Sequence, residues 1–240
     1  MSAIKREVTI GPCRLILGDA IEVARELSDD WHAVVADPPY GINFLHSGGG
    51  RAKAGIPQTR FVGAQFKVLG DDLPYDPRPR LKIAGKRPVI LWGGNHCASR
   101  LPDTGGWLAW QKLPDAQLGR LSFGDGEIAL YSWNRRLRFK RHTWSGMTRA
   151  GSHALNGKTR FHPAQKPVEI MRWCIDMLPA RGGGWGDTII DPYLGSGSTA
   201  IAAMQAGVKF IGVEMSERWF DVAVDRAQTY FNEARQRPCR

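Results

Sequence analysis

The sequence predicts an α/β fold built around a mostly parallel sheet, and three observations lead there. Strand-like and helix-like runs alternate through the last third of the chain, the pattern of parallel strands joined by helices. A glycine turn, Gly195-Ser196-Gly197, joins one of these strands to the helix after it. The 240 residues are 42% hydrophobic and 10% aromatic. That supports a sizeable core in a single domain spanning 1–240 and excludes wholesale disorder.

The elements follow in order. Residues 8–10 and 14–18 read as two short strands around Gly11-Pro12. From 20 to 27 (AIEVAREL), Ile21, Ala24, Arg25 and Leu27 recur at helical spacing after Asp19, an N-cap residue type. Residues 32–36 form an apolar strand that stops at Asp37-Pro38-Pro39-Tyr40. Residues 41–70 are glycine-rich and basic with no period, so a mobile loop is expected there. Further strands are expected at 88–92, 107–111 and 127–133. A helix is expected over 167–178 with Pro167 in its first turn. A strand at 187–190, a helix at 199–206, a strand at 208–213 and an amphipathic helix at 216–233 complete the chain.

Charge narrows the partners. Lys and Arg number 33 against 23 acids, a net charge of +10. Residues 134–160 hold six Arg and two Lys with no acid, and 41–70 hold Arg51, Lys53, Arg60 and Lys67 with no acid. Two acid-free basic tracts favour a polyanion over a merely solvated face. No run of 18 apolar residues is present, the N-terminus lacks the apolar core of a secretory signal, and Cys13, Cys97, Cys174 and Cys239 show no paired spacing. Free thiols in a reducing cytoplasm are the expectation. The Cys and His residues also lack metal-ligand spacing, so no metal site is expected.

Three constellations carry chemistry. The first is Asp191-Pro192-Tyr193-Leu194-Gly195-Ser196-Gly197 between strand and helix, followed by a strand ending in Glu214. Glycines there let the backbone approach a ligand beside a helix N-terminus, and a carboxylate after the next strand suits ribose hydroxyls. The same spacing, Gly195, Gly197 and Ala200, also satisfies the dinucleotide fingerprint, so a nicotinamide-dependent oxidoreductase stays open on these residues alone. The second is Asp37-Pro38-Pro39-Tyr40, where two prolines stiffen the chain, carbonyls and a carboxylate face outward as acceptors, and Tyr40 adds a flat face. That combination suits the exocyclic amine of a planar base. The third, His162-Pro163-Ala164-Gln165-Lys166-Pro167, opens a helix; Lys166 and, more weakly, His162 suit a cofactor carboxylate. A nucleic-acid-binding module without catalysis also remains open at this point.

Together these residues resemble the β-group of amino-methylating DNA methyltransferases, which use S-adenosylmethionine. The order agrees: Asp37 to Tyr40 first, the 162–167 element next, the 191–197 element last. Trp92-Gly93-Gly94-Asn95-His96 and the strands over 107–133 look like the small phage-type members, some of which accompany restriction enzymes. The resemblance implies a Rossmann-like methyltransferase fold with a seven-stranded-type sheet, helices on both faces and circularly permuted motifs. It implies methyl transfer to adenine N6 in double-stranded DNA, with cytosine N4 as the alternative, in a bacterial or phage-infected cytoplasm; the oligomeric state, a homodimer included, stays open. Asp37 and the Pro38 carbonyl would accept the amine N–H groups, with Pro39 stiffening the turn and Tyr40 stacking on a flipped base. Asp19, Asp191, Pro192, Gly195, Ser196, Gly197, Glu214, His162 and Lys166 would hold the cofactor. Arg135, Arg136, Arg138, Lys140 and Arg141 would contact DNA, making 41–70 and 134–160 the candidate target-recognition elements. Tyr193 stands where Phe is commoner and Ala164 where Thr is commoner, which removes a hydroxyl from the cofactor side.

Overall fold

A computed structural model describes residues 2–28, 30–43, 45–46, 66–67, 69–103, 106–120, 124–145, 148–149, 164–179 and 188–236. β1 (Ile4–Ile10) and β2 (Cys13–Gly18) form an antiparallel hairpin. Asp19 caps α1 (Ala20–Glu26) as expected, its Oδ1 accepting from the Ile21 and Glu22 N–H groups at 2.8 and 3.0 Å. β3 (Ala33–Ala36) is buried along its whole length. After it come α2 (Arg78–Ala84), β4 (Val89–Trp92), β5 (Trp107–Gln111), β6 (Gly126–Tyr131) and β7 (Leu137–Arg141). The last third is α3 (Val168–Met177), β8 (Thr188–Asp191), α4 (Ser198–Ala206), β9 (Lys209–Glu214) and α5 (Glu217–Gln236).

One nine-stranded sheet runs in the order β1-β2-β9-β8-β3-β4-β6-β5-β7. Its centre, β2 through β4, is parallel. β6 runs antiparallel to both its neighbours, and β7 is parallel to β5. α3, α4 and α5 pack on one face, where Ile170, Cys174, Ala202, Phe220 and Ala223 are almost fully buried. α1 and α2 cover the other face around Val23, Ala24, Ala84 and Val34. The expected parallel α/β sheet with helices on both faces is thus present.

Two elements differ from the sequence expectation. β7 carries no strand signal in the sequence, because LRFKR is exposed on both faces and its charges mask the alternation of Leu137 and Phe139. A ladder with β5, from Trp107↔Leu137 to Gln111↔Arg141, makes it a strand. α2 has only seven residues and opens on prolines. Too few apolar positions remain in it to set up a period, and packing of Ala84 against the sheet supplies its stability. The expected mobile loop at 41–70 lies largely outside the described residues, as do 150–163 of the basic segment.

β9 lies inside the parallel set, between β2 and β8, and its Phe210 is 1% exposed. Phe210→Ala should lower stability by about 3–5 kcal/mol through lost burial and a residual cavity. The check is the urea midpoint; it should fall with an unchanged slope.

Candidate active site

The carboxyl ends of β3, β8 and β9 face one cleft of about 780 Å³, large enough for a nucleoside-sized ligand with room beside it. On one side lies the glycine turn. Gly195 and Gly197 have φ of 54° and 81°, a left-handed backbone that favours glycine. A Cβ on Gly195 would meet nothing nearer than the Tyr193 carbonyl at 3.9 Å, so the space above it is open. Gly197 faces the other way, where a Cβ would press on Ala223 at 3.3 Å.

Three side chains hold this turn. Asp191, 1% exposed, accepts from the Tyr193 N–H at 2.9 Å and the Thr199 hydroxyl at 2.6 Å. Glu214 accepts from the Gly195 and Ser216 N–H groups, both at 2.9 Å. The buried guanidinium of Arg226 on α5 donates to the Ser196 carbonyl at 3.0 Å and to the Ser196 and Ser198 hydroxyls at 3.2 and 3.0 Å. Burial raises the Asp191 carboxyl from 3.8 to about 7, raises Glu214, and lowers Arg226 to about 10.

On the other side lies Asp37. Its Oδ1 accepts from the Tyr40 hydroxyl at 2.7 Å and from Lys166 Nζ at 2.8 Å. Lys166 also reaches Glu127 at 2.5 Å and the Tyr40 oxygen at 2.8 Å, and Lys112 reaches Glu127 at 2.9 Å. Lys166 lies 5.2–5.8 Å from the ring centres of Trp92, Tyr40 and Trp110, an aromatic surround for a buried cation. Burial opposes charge on all three central groups. For Asp37 it raises the carboxyl; for Glu127 the two ammoniums outweigh it and lower the carboxyl; for Lys166 the two carboxylates outweigh it and raise the ammonium. The Tyr40 ring stacks on His96 with centres 4.9 Å apart and planes 17° from parallel.

Asp37, Pro38, Pro39 and Tyr40 therefore share one cleft with Asp19, Asp191, Pro192, Gly195, Ser196, Glu214 and Lys166. Gly197 turns the chain behind it. His162 lies outside the described residues. Arg135, Arg136, Arg138 and Arg141 are exposed, Lys140 is half-buried, and none of the five lines the cleft. The chain after β7 does reach it: the Trp144 N–H donates to the Lys112 carbonyl, and Trp144 lines the cleft. Sequence reasoning missed Lys112, Glu127 and Arg226. Two of these carried a signal. Arg226 interrupts the apolar stripe of Trp219, Phe220, Ala223 and Ala227, and Glu127 opens an otherwise apolar strand.

A parallel sheet with a glycine turn after one central strand, an acid after its neighbour and an antiparallel β6 beyond defines a Rossmann-like methyltransferase fold. Residues 107–225, about half of the chain, match the family model described as DNA methylase, of the N6/N4 type. A stretch of 66 residues is 35% identical to the type II methyltransferase M.HindIII of Haemophilus influenzae, covering 28% of this chain and 20% of that protein. The chain thus matches about a fifth of that relative's length. Among solved structures, it resembles the PvuII DNA methyltransferase, titled cytosine-N4-specific, with a TM-score of 0.58 and 14% identity over 96% of this chain and 95% of that one. It also resembles M1.HpyAVI in complex with SAM, with a TM-score of 0.50 and 19% identity over 89% and 99% of the two chains. At these identities the likeness bears on the fold. Asp37 precedes the family-matched stretch and joins the site through the pairing of β3 with β8.

A folded Asp191 carboxyl that keeps its proton up to about pH 7 stabilises the unliganded protein fully below its ordinary value of 3.8. That contribution is lost as pH rises through 7, because the unfolded state then binds fewer protons. Asn at this position can accept from the Tyr193 N–H through its oxygen and donate its Nδ2–H to the Thr199 hydroxyl, without the titration. Asp191→Asn should therefore gain on the parent in urea midpoint between pH 5 and pH 8; parallel profiles would contradict the assignment.

Proposed function

We propose that this chain is an S-adenosylmethionine-dependent methyltransferase acting on double-stranded DNA, with adenine N6 as the methylated atom. The observation that carries the reading is that Asp37 Oδ2, which has no hydrogen-bond partner among the described residues, and Glu214 open onto the same cleft, on either side of the glycine turn. An amine acceptor and a ribose acceptor flanking open space over Gly195 fit a nucleoside cofactor beside a base. The match of residues 107–225 to the DNA methylase family model supports the same chemistry.

S-adenosylmethionine bound there would supply an electrophilic methyl group. The residues of this chain do the rest. Gly195 leaves room for close approach, and Glu214, held by two N–H groups, keeps its carboxylate toward the ribose side. Asp19 lines the same cleft. Asp37 Oδ2 and the Pro38 carbonyl accept the two amine N–H groups. An aromatic amine is a poor nucleophile because its lone pair is delocalised into the ring, and these bonds localise it. Asp37 Oδ2 is also the acceptor for the proton the amine loses after it gains a carbon. Tyr40 and His96 form the aromatic plate beside it, offsetting part of the cost of extruding a base. Lys166 is committed to Asp37, Glu127 and Tyr40, all three of its N–H groups being used, so it serves the amine side instead of a cofactor carboxylate.

Asp at position 37 favours adenine within the resemblance, since Ser there is commoner in cytosine-N4 enzymes. Cytosine N4 is the second reading, favoured by the likeness to the PvuII enzyme. The basic residues of 134–160 and the 41–70 segment are the proposed target-recognition elements. The described ends of 41–70 meet at the cleft rim, where Asp71 Oδ1 accepts from the Gly41 and Ile42 N–H groups at 2.7 and 3.3 Å.

Labelled S-adenosylmethionine and mixed-sequence duplex DNA, followed by nucleoside digestion, test the reading. N6-methyladenine is expected. N4-methylcytosine would replace the base, and no label in DNA would overturn the function. Asp37→Ala should lose about 100-fold or more in rate while still binding S-adenosylmethionine. Exchange of Arg135, Arg136 and Arg138 for Gln should weaken DNA binding and reduce its salt slope by about one unit per lost phosphate contact; an unchanged slope would remove this segment from the DNA surface.

A further inference from the structure

Glu127 and Lys112 belong to no motif, yet they stand one contact away from Asp37. Glu127 is the second residue of β6, opposite Trp110 of β5, and Lys112 follows that strand directly. Glu127 Oε1 takes Lys112, and Oε2 takes Lys166 at 2.5 Å and the Tyr40 hydroxyl at 3.1 Å. Lys166 and Tyr40 then both lie on the same oxygen of Asp37, Oδ1. The four charged side chains are only 8–21% exposed. Two carboxylates and two ammoniums leave the cluster neutral.

That arrangement has two consequences for an amine held at Asp37. One is geometric: with Oδ1 filled, Oδ2 is the oxygen left to the cleft. The other is electrostatic: Lys166 stands close to a nitrogen that becomes cationic as it gains a methyl group, and in a buried site that repulsion is weakly screened. We propose that Glu127, anchored by Lys112, is a positioning residue for methyl transfer: it holds Lys166 and Tyr40 on Oδ1 of Asp37, so that Oδ2 addresses the target amine, and it cancels the Lys166 charge that would oppose the cation forming there. This rests on the methyltransferase reading above.

The groups facing Asp37 are Lys166, Tyr40 and Glu127, with Cys174 of α3 and Asp191 of β8 close enough to act through space. Burial pushes the Cys174 thiol up to about 12, so it stays neutral. His96 stacks on Tyr40. Glu127 is therefore the carboxylate that shares a cation with Asp37. Replacing it by Gln removes a negative charge and makes Asp37 easier to ionise, so the acidic limb of the kcat profile moves to lower pH. A residue with a merely structural role would not move that limb.

The test uses the full chain with S-adenosylmethionine and duplex DNA. For Glu127→Gln, kcat should fall about tenfold or more with the acidic limb displaced to lower pH, while S-adenosylmethionine affinity in the absence of DNA stays within about twofold. Glu127→Asp should recover part of the rate. Lys112→Gln should show a smaller loss, and it carries the test if Glu127→Gln does not fold. Glu127→Gln with parental kcat and an unmoved acidic limb overturns the proposal, as does Lys112→Gln with both unchanged. Absence of methyl transfer by the unaltered chain is a different result, since it removes the functional reading and this inference with it.

Discussion

The candidate site depends on one constraint, the parallel pairing of β8 with β3 on one side and β9 on the other. Parallel strands end on the same edge of a sheet. Asp37 follows β3, Asp191 ends β8 and Glu214 ends β9, so three acids far apart in sequence share one edge. The chain leaves β8 through α4 toward β9, while the chain after β3 returns through α2 to β4 on the other side. Connections that diverge in this way leave a crevice between them, and ligands of open α/β sheets bind in such crevices. β6 then carries Glu127 into the same crevice from its amino end, because it runs antiparallel to β4.

The two halves of the cleft are built on different physics. The glycine-turn half is held by neutral backbone groups and a few buried charges, each with partners: Asp191 on Tyr193 and Thr199, Glu214 on Gly195 and Ser216, Arg226 on Ser196 and Ser198. Donors and acceptors set before a ligand arrives need no reorganisation when it binds. The Asp37 half is a cluster of full charges. A lone buried ion is costly, and a buried pair persists only with good geometry and with its remaining hydrogen-bonding groups satisfied. Lys166 meets that condition with three acceptors and three aromatic neighbours.

The rim contrasts with both. Ile42, Leu69 and Leu73 are exposed beside the cleft, and the basic edge strand β7 leads toward it through His142 to Trp144. Exposed apolar groups beside a cleft, with exposed cations on the adjoining edge, are the surface character that the proposed DNA partner would meet.

Most of the parallel core was legible in the sequence, because buried strands and amphipathic helices announce themselves by local period and glycine turns by local chemistry. The strands over 33–36, 89–92, 188–191 and 209–214, and the caps and turns between them, need only their own neighbours to be recognised. So do Asp37-Pro38-Pro39-Tyr40 and the 191–197 turn, whose residue types state their chemistry. The exposed strand β7 and the short helix α2 were not legible, since pairing with β5 and packing on the sheet, both long-range, create them. Nor was the partnership of Lys112, Glu127, Lys166 and Asp37. These residues come from four separate segments, and a charge carries no sign in sequence of which distant charge will neutralise it. Tertiary structure alone decided that Lys166 faces Asp37, because burial leaves a cation no alternative to the nearest carboxylates.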